Sequence, residues 1–438
     1  MLIFRTEYVS RRLTAFLLAS LAGLPAASGQ SLPPSRPFQM ASTAIQVVPG
    51  VHTSEQNFSP SFPPANVALD VDLLSVFPEY LGIPFMAFEQ SATPTASPWT
   101  LEMQSLAQSA QASGKPLFLQ LGFVRANMVP LAVILGNTSQ AVSGWALPCP
   151  NFTTSTYAPL LGAYVNYVTW MTNLFQPRYL VTATEINLYY FVCGGNTASW
   201  RALVNALQAA YAAAKAVNPS IVAFPSLNLE ALYDNTATGF DQKQYAAMGA
   251  LSHDRLGLAA YPAYLGNPYM VPSDFLTRIS NYNPNEAPVV ITETGWNSTP
   301  VALTVNNQCA QPFGFYSEPS FETAYLNFLL NTAFNSNFDA VTWWSDRDLI
   351  LSQVMTTCYP QASPPSYSQC YGDEWCITDN AFRQSGGAGG EFALKAFGSM
   401  GLRNYDGTPK SQLSIWDSFL SLPYTPPANL VERRATAP

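Results

Sequence analysis

The amino-acid sequence predicts a single (β/α)8 barrel with long loops after its strands. Eight short apolar segments alternate with segments of helical periodicity along 438 residues, which is the order of elements in such a barrel. Apolar residues make up 48% of the chain and aromatic residues 13%, enough for one large core. A doubly wound open sheet is the alternative architecture, but no glycine-rich turn follows the first predicted strand.

The predicted strands share β-branched or apolar composition and are bounded by Pro, Gly or polar residues. They lie at 44–48, 83–88, 116–123, 179–187, 221–224, 256–261, 289–296 and 340–344. The predicted helices share apolar residues at helical spacing. They lie at 67–77, 101–112, 157–175, 199–217, 242–250, 273–279, 321–333 and 392–401.

The N-terminus has the three parts of a secretory signal. Arg5, Arg11 and Arg12 precede an apolar stretch at 13–24, and small residues follow at 26–29. The apolar stretch is short for a membrane span, so cleavage is favoured over an anchor. We therefore expect a secreted or periplasmic monomer without stable membrane insertion after cleavage. The predicted divisions are a signal peptide at 1–29, an extended segment at 30–42, the barrel at 43–425 and a tail at 426–438.

Charge and metal-binding residues restrict the possible partners. Charged residues are only 11% of the chain, the net charge is −8, and no basic patch stands out, so nucleic acid is not an expected partner. The two histidines, His52 and His253, and the absence of a CxxC spacing argue against a Cys/His metal site. The sequence therefore predicts no cofactor.

Six cysteines in an exported chain predict disulfide bonds. Cys149 follows the third predicted strand and Cys193 the fourth, and the two loops are neighbours at the mouth of a barrel, which favours a bridge between them. Cys309 would then pair with one of the remaining cysteines, and the choice stays open. Those cysteines are Cys358, Cys370 and Cys376.

Two acids occupy matching positions at strand ends. Glu293 ends the seventh predicted strand and Glu185 lies near the end of the fourth. A buried acid is costly unless a partner or a reaction uses it, and these two strands lie across the barrel mouth from each other. Either acid alone would be interpreted as structural. Together they form the pair that glycoside hydrolysis requires, in which one protonates the leaving oxygen while the other attacks or activates water.

Four further motifs accompany the two acids. The run Ile-Thr-Glu-Thr-Gly-Trp at 291–296 contains Glu293, and Tyr261 ends the sixth strand before a proline. Trp343 and Trp344 end the eighth strand, and Asn-Tyr-Asp-Gly-Thr-Pro-Lys occupies 404–410. In this order along 43–420, they resemble the retaining TIM-barrel glycoside hydrolases of clan A, which include cellulases, endo-β-galactanases and β-1,3-glucanases.

The resemblance implies roles for these residues. Glu185 corresponds to the acid/base and Glu293 to the nucleophile of a retaining double displacement on a β-linked polysaccharide or oligosaccharide. Tyr261 corresponds to a tyrosine that hydrogen-bonds the nucleophile. The clan has Asn directly before the acid/base, whereas this chain has Thr184 there, so either Asn187 contacts the sugar or the 2-hydroxyl is recognised differently.

The aromatic candidates leave alternatives open. Trp296 either lines the site or packs in the core, and only one of Trp343 and Trp344 can face inward, because neighbours on a strand point to opposite sides. Trp344 is favoured. Further polar candidates near strand ends have a structural interpretation at least as strong; they are Glu89, Gln120, Asn228, Asp346 and Asp348.

Two other functions remain compatible with the residues. One is a carbohydrate-binding barrel without activity, and the other is transglycosylation through the same two acids. A Ser-His-Asp triad is disfavoured because the chain has no GxSxG motif and few histidines.

Overall fold

The structure is a computed structural model that describes residues 34–44, 67–78, 83–124, 149–236, 238–283, 287–305, 308–310, 317–348, 355–356, 395 and 397–427. The described strands are β1 (Gln39–Ala44), β2 (Leu73–Val76), β3 (Leu117–Gln120), β4 (Tyr179–Val181), β5 (Val222–Phe224), β6 (Ser226–Asn228), β7 (Leu256–Ala260), β8 (Val289–Thr294), β9 (Leu303–Val305), β10 (Gln308–Ala310), β11 (Phe338–Trp343), β12 (Ser345–Arg347) and β13 (Gly401–Arg403).

Nine of these strands form one parallel sheet in the order β5-β4-β3-β2-β1-β11-β8-β7-β6. β5 and β6 are two halves of one strand, divided at Pro225, which has no N–H to donate. The first half pairs with β4 and the second with β7. Ser226 also exchanges backbone hydrogen bonds with Ala183 and Ile186, which follow β4. The sheet is therefore an eight-stranded barrel, and the predicted fold is confirmed.

The helices lie outside this sheet. They are α1 (Phe85–Phe88), α2 (Pro98–Ala112), α3 (Ala158–Phe175), α4 (Asn187–Val192), α5 (Ala198–Val217), α6 (Leu229–Leu232), α7 (Gln242–Met248), α8 (Arg278–Tyr282), α9 (Pro319–Asn335) and α10 (Leu413–Leu420). Local signals set several ends: Ser97 and Thr100 form a capping box at α2, and Asp241 caps α7. No described helix combines the length and apolar character needed to cross a membrane.

Two apolar regions form the core. The larger one lies between the sheet and its helices. The smaller one fills the barrel with Ala41, Leu73, Phe118, Tyr179, Val181, Val222, Phe224, Val290 and Ala340. Below it, Asp339 accepts hydrogen bonds from Arg255 and Tyr179 at the end opposite the mouth. The barrel is therefore packed below its mouth, so a ligand has access only at the carboxyl ends of the strands.

The first quarter of the chain departs from the prediction. The first strand is Gln39–Ala44 rather than 44–48, so the barrel begins inside the segment predicted to be extended. The predicted helix at 67–77 contains β2, and the predicted strand at 83–88 contains α1. All four residues of β2 are buried, so its apolar run shows no alternation and resembles one turn of a buried helix.

Two later helix predictions also need correction. The short helix predicted at 273–279 begins only at Arg278. Of the predicted helix at 392–401, Gly401 begins β13, and residues 392–394 and 396 lie outside the described residues. The last described helix is α10.

The predicted bridge between Cys149 and Cys193 is present, and it closes a loop with a sequence separation of 44 residues. Replacing both cysteines, as Cys149→Ser with Cys193→Ser, is expected to lower the free energy of unfolding by about 4 kcal/mol, because the unfolded chain regains loop entropy. Urea unfolding of the oxidised proteins measures this difference, and an unchanged midpoint would contradict the expectation. The pairing of Cys309 involves residues outside the described part of the chain.

Candidate active site

Glu293 points into the barrel mouth because β8 contains an extra residue. From Ile291 to Thr294 this strand advances three residues, while β7 and β11 each advance two. Such a bulge changes the side on which the next residue points. Ile291 packs in the outer apolar region, and the Thr294 hydroxyl contacts the Tyr325 hydroxyl on α9 at 2.6 Å. Glu293, between them, therefore faces inward.

Glu185 lies between β4 and α4 in a left-handed backbone conformation, with φ of 47°. A residue with a side chain adopts this region at a cost, so surrounding contacts must hold it there. The backbone N–H of Glu185 donates to the Ser226 hydroxyl at 2.9 Å, and Asn228 donates from Nδ2 to Glu185 Oε1 at 2.7 Å. Both partners belong to β6, so the split fifth barrel strand positions the first acid.

Tyr261 makes the contact that was expected of it. Its hydroxyl donates to Glu293 Oε2 at 2.9 Å. The ring of Tyr261 packs edge-on against Phe397, with centroids 5.0 Å apart. Trp344 packs against the other side of this region, 5.4 Å from Phe397 and 6.4 Å from Phe77. These four rings form an aromatic wall that begins at Tyr261, the residue bonded to Glu293.

The electrostatics of the two acids differ from those of surface carboxylates. Burial raises the pKa of Glu293 to about 8; the charge of Glu185 contributes, and the Tyr261 hydroxyl opposes the rise. Burial also raises the pKa of Glu185, and the Asn228 amide opposes that rise. Two neighbouring buried carboxyl groups ionise one after the other, so the pair holds one proton over a broad pH range.

A third acid was missed by the sequence analysis. Glu230 on α6 is only 5% exposed, and its Oε1 accepts the backbone N–H of Tyr261 at 2.6 Å. Burial raises its pKa to about 8, with a contribution from the charge of Glu185. The available signal was an acid inside the apolar run Leu-Glu-Ala-Leu, two residues after Asn228.

Three residues that were predicted to contact the substrate have fully buried side chains with partners inside the protein. Asn187 donates to the Asn228 carbonyl and to Gln244, and accepts from the Asn228 N–H, so it holds the loop after β6. Trp296 packs against Tyr325 at 5.3 Å, and Trp343 packs against the same ring at 6.2 Å. Alternation sends Trp343 outward and Trp344 inward, as the strand geometry favoured.

The remaining candidates lie away from the acids or are already engaged. Gln120 is buried inside the barrel, where it donates to Ser75 and to the Thr292 carbonyl. Glu89 is exposed at the end of α1 rather than after a strand. His253 contacts the Leu251 carbonyl before β7, at the opposite end of the barrel, and His52 lies outside the described residues.

The two acidic residues after β11 take part in ion pairs. Asp348 accepts from Lys410 Nζ at 2.5 Å, and Asp346 lies 3.8 Å from Arg403. These contacts tie the end of β11 to the last part of the chain, which is a structural role. Among the described residues, no group of three or more His, Cys, Asp or Glu side chains is arranged to hold a metal ion.

No protein-family model matches the sequence, and no curated protein matches it. Solved structures match in fold. An exo-β-1,4-mannosidase from Opitutaceae bacterium strain TAV5 superposes with a TM-score of 0.52 at 13% identity, over 92% of this chain and 61% of that chain. A GH5_18 protein from Streptomyces cattleya, solved with GlcNAc, gives 0.52 at 10% identity, over 90% of this chain and 83% of that one.

A third match is a GH5_18 protein from Bifidobacterium longum subsp. longum, with a TM-score of 0.52 at 14% identity over 89% of this chain and 81% of that chain. At these identities the likeness shows the fold. The chain is therefore a TIM barrel, as the sequence predicted. It spans about three fifths of the length of the Opitutaceae mannosidase.

Removing the Tyr261 hydroxyl tests the electrostatics of Glu293. The phenol donates to the carboxylate and lowers its pKa, so Tyr261→Phe is expected to raise the pKa of Glu293. If Glu293 must be ionised for activity, the acidic limb of the kcat/KM profile moves to higher pH. An unchanged acidic limb would show that this hydrogen bond does not control the ionisation.

Proposed function

We propose that the protein is a secreted glycoside hydrolase that cleaves β-linked poly- or oligosaccharides with retention of configuration. The observation that carries this proposal is the placement of Glu185 and Glu293 at the ends of β4 and β8, each with its own hydrogen-bond donor. Paired acids at a barrel mouth are the groups that this reaction requires.

The reaction uses both acids twice. Glu293 attacks the anomeric carbon while Glu185 gives its proton to the leaving glycosidic oxygen, so a glycosyl ester forms as the first product departs. Glu185, now ionised, then accepts a proton from water, and the hydroxide oxygen displaces Glu293 from the anomeric carbon. Two inversions give net retention, and both carboxyl groups return to their starting states.

The hydrogen bonds support this division of roles. The nucleophile must be ionised, and a phenol hydroxyl is a donor that stabilises a carboxylate, which favours Glu293 as the charged member. Burial raises the pKa of both acids, so the pair retains a proton, and the proposed roles assign that proton to Glu185. This is the state from which the first step begins.

The aromatic wall supports a sugar as the ligand. Phe397 packs against Tyr261, the residue that donates to Glu293, and Trp344 and Phe77 continue the same wall; aromatic rings pack against the C–H faces of sugars. The Trp344 Nε1 is buried without a hydrogen-bond partner in the described part of the chain, so it is available to a hydroxyl of a bound sugar.

Purified protein screened against β-linked polysaccharides, and against aryl β-mannosides, β-glucosides and β-galactosides, tests the proposal. The panel includes β-1,4-mannan because one structural neighbour is an exo-β-1,4-mannosidase. Proton NMR of the first-formed product reads the anomeric configuration. Retention with loss of turnover in Glu293→Gln supports the proposal.

An inverted product contradicts the mechanism. Binding without any turnover favours a carbohydrate-binding barrel, and transfer to a second sugar in place of water favours a transglycosylase.

Secretion is tested separately, by N-terminal sequencing of protein exported from a host cell. A mature chain that begins near residue 30 supports it.

A further inference from the structure

Glu230 is buried in the first turn after β6 and has an unusual set of partners. Its Oε1 accepts the Tyr261 N–H at 2.6 Å, while its Oε2 is buried and has no hydrogen-bond partner among the described residues. The turn itself is rigidly held, because Asn228 Oδ1 caps α6 by accepting the Ala231 N–H at 2.8 Å.

This turn connects the donors of both acids. Asn228, at the start of the turn, donates to Glu185, and Tyr261, bonded to Glu230, donates to Glu293. The Glu230 contact therefore joins the end of the fifth barrel strand to the end of the sixth. Without it, the buried N–H of Tyr261 would lose this hydrogen bond, and the loss of a buried hydrogen bond is costly.

The surroundings of Glu230 favour its neutral form. In the part of the chain that the structure describes, no ion pair involves Glu185, Glu230 or Glu293, and a desolvated charge without one is costly. The titratable groups that face Glu230 are Glu185, Tyr233, Tyr261, Glu293 and Tyr325. A neutral carboxyl group still offers its carbonyl oxygen to the Tyr261 N–H.

We propose that Glu230 is a positioning residue, which ties the turn carrying Asn228 to the strand end carrying Tyr261 and so holds the donor of each acid in place. The catalytic roles of Glu185 and Glu293 rest on the proposed function, whereas the tie between Glu230, Tyr261 and Glu293 does not. Glu230 acts through Tyr261 and Asn228 and does not itself take part in bond making.

The test compares two variants that both lack the charge. Glu230→Gln keeps an oxygen that can accept the Tyr261 N–H, whereas Glu230→Ala does not. Their difference therefore reports the acceptor together with the lost side-chain volume, and a Tyr261→Phe background separates the two. The pKa of Glu293 is read by NMR titration of protein labelled with ¹³C at the glutamate carboxyl carbons, and thermal melting checks that each variant is folded.

The pKa of Glu293 is expected to be higher in Glu230→Ala than in Glu230→Gln, because Tyr261 then donates less well to the carboxylate. The difference should disappear when both changes are made in a Tyr261→Phe background, because contacts that act through one group are not additive. Equal Glu293 pKa values in the two single variants would overturn the proposal. So would a difference that persists without the Tyr261 hydroxyl.

Kinetics on a responsive glycoside give a second readout. Glu230→Gln is expected to retain most of kcat, and Glu230→Ala to lose about tenfold or more in kcat with little change in KM, because the misplacement affects the reacting acids rather than sugar binding. A higher KM in Glu230→Ala with an unchanged kcat would contradict the proposal. If the parent protein cleaves no glycoside, the proposed function fails while the titration still decides the role of Glu230.

Discussion

Replacing Glu293 with Ala is expected to lower kcat on the order of 10⁵-fold, because the carboxylate that forms the glycosyl ester is removed. The fold should be retained, since the change removes a buried, desolvated carboxyl group and leaves the strand backbone unchanged. Initial rates on an aryl β-glycoside that the parent enzyme cleaves measure the effect.

Azide added to Glu293→Ala provides a sharper test. The small anion can enter the space that the carboxylate occupied and attack the anomeric carbon from the same face. The expected product is therefore a glycosyl azide of inverted configuration, formed in one displacement.

A matched control is Glu322→Gln, which removes a buried acid on α9 that lies 3.7 Å from Lys410. This control should leave kcat nearly unchanged, and a comparable loss there would point to a general effect of removing buried acids.

Replacing Glu185 with Ala is expected to lower kcat about 10²–10⁴-fold on substrates with a poor leaving group, which is the usual contribution of a general acid. A substrate whose leaving group needs no proton, such as a dinitrophenyl glycoside, should still form the glycosyl ester rapidly. The ester should then accumulate, because the base that activates water is also missing.

The same variant separates the roles of the two acids. Azide should attack the accumulated ester from the Glu185 side and give a glycosyl azide of retained configuration, the opposite of the Glu293 result. If both variants give the same configuration, the assignment of nucleophile and acid/base is wrong. If Glu185→Ala lowers kcat by the same factor for substrates with good and with poor leaving groups, Glu185 does not act as the acid.

The sequence was sufficient to predict the barrel and to select the two candidate acids, because both follow from local rules. An apolar β-branched run ending in an acid is visible without a structure, as at Glu293, and parallel strands bring their carboxyl ends to one face. The contact between Tyr261 and Glu293 was predicted by resemblance to a family rather than from the residues, and it is present.

Side-chain direction was the harder problem. Regular strand geometry ends with β4 at Val181, and Glu185, four residues later, has a left-handed backbone that changes the direction of the chain. As a result Asn187 points into the protein instead of toward a ligand. At β8 alternation would have turned Glu293 outward, and only the bulge, which no periodicity reveals, turns it inward.

The roles of buried groups that lie outside any motif could not be predicted from the sequence. The apolar run around Glu230 marks it as a buried acid, but its role is recognisable only when Tyr261, 31 residues away along the chain, is seen to donate to it. The error at β2 has another origin: a strand with every residue buried carries no polar face, so its pattern does not distinguish strand from helix.

The backbone at Glu185 also bears on how the protein could change over generations. A non-glycine residue at φ of 47° costs about 1 kcal/mol or more, and this residue also keeps a carboxyl group desolvated at the same point. Glycine at this position would remove both the backbone strain and the cost of desolvating the carboxyl group. If selection for activity stopped while selection for thermal stability continued, substitution by glycine at this position would be favoured. The inactive descendants would then be more stable than their active ancestor.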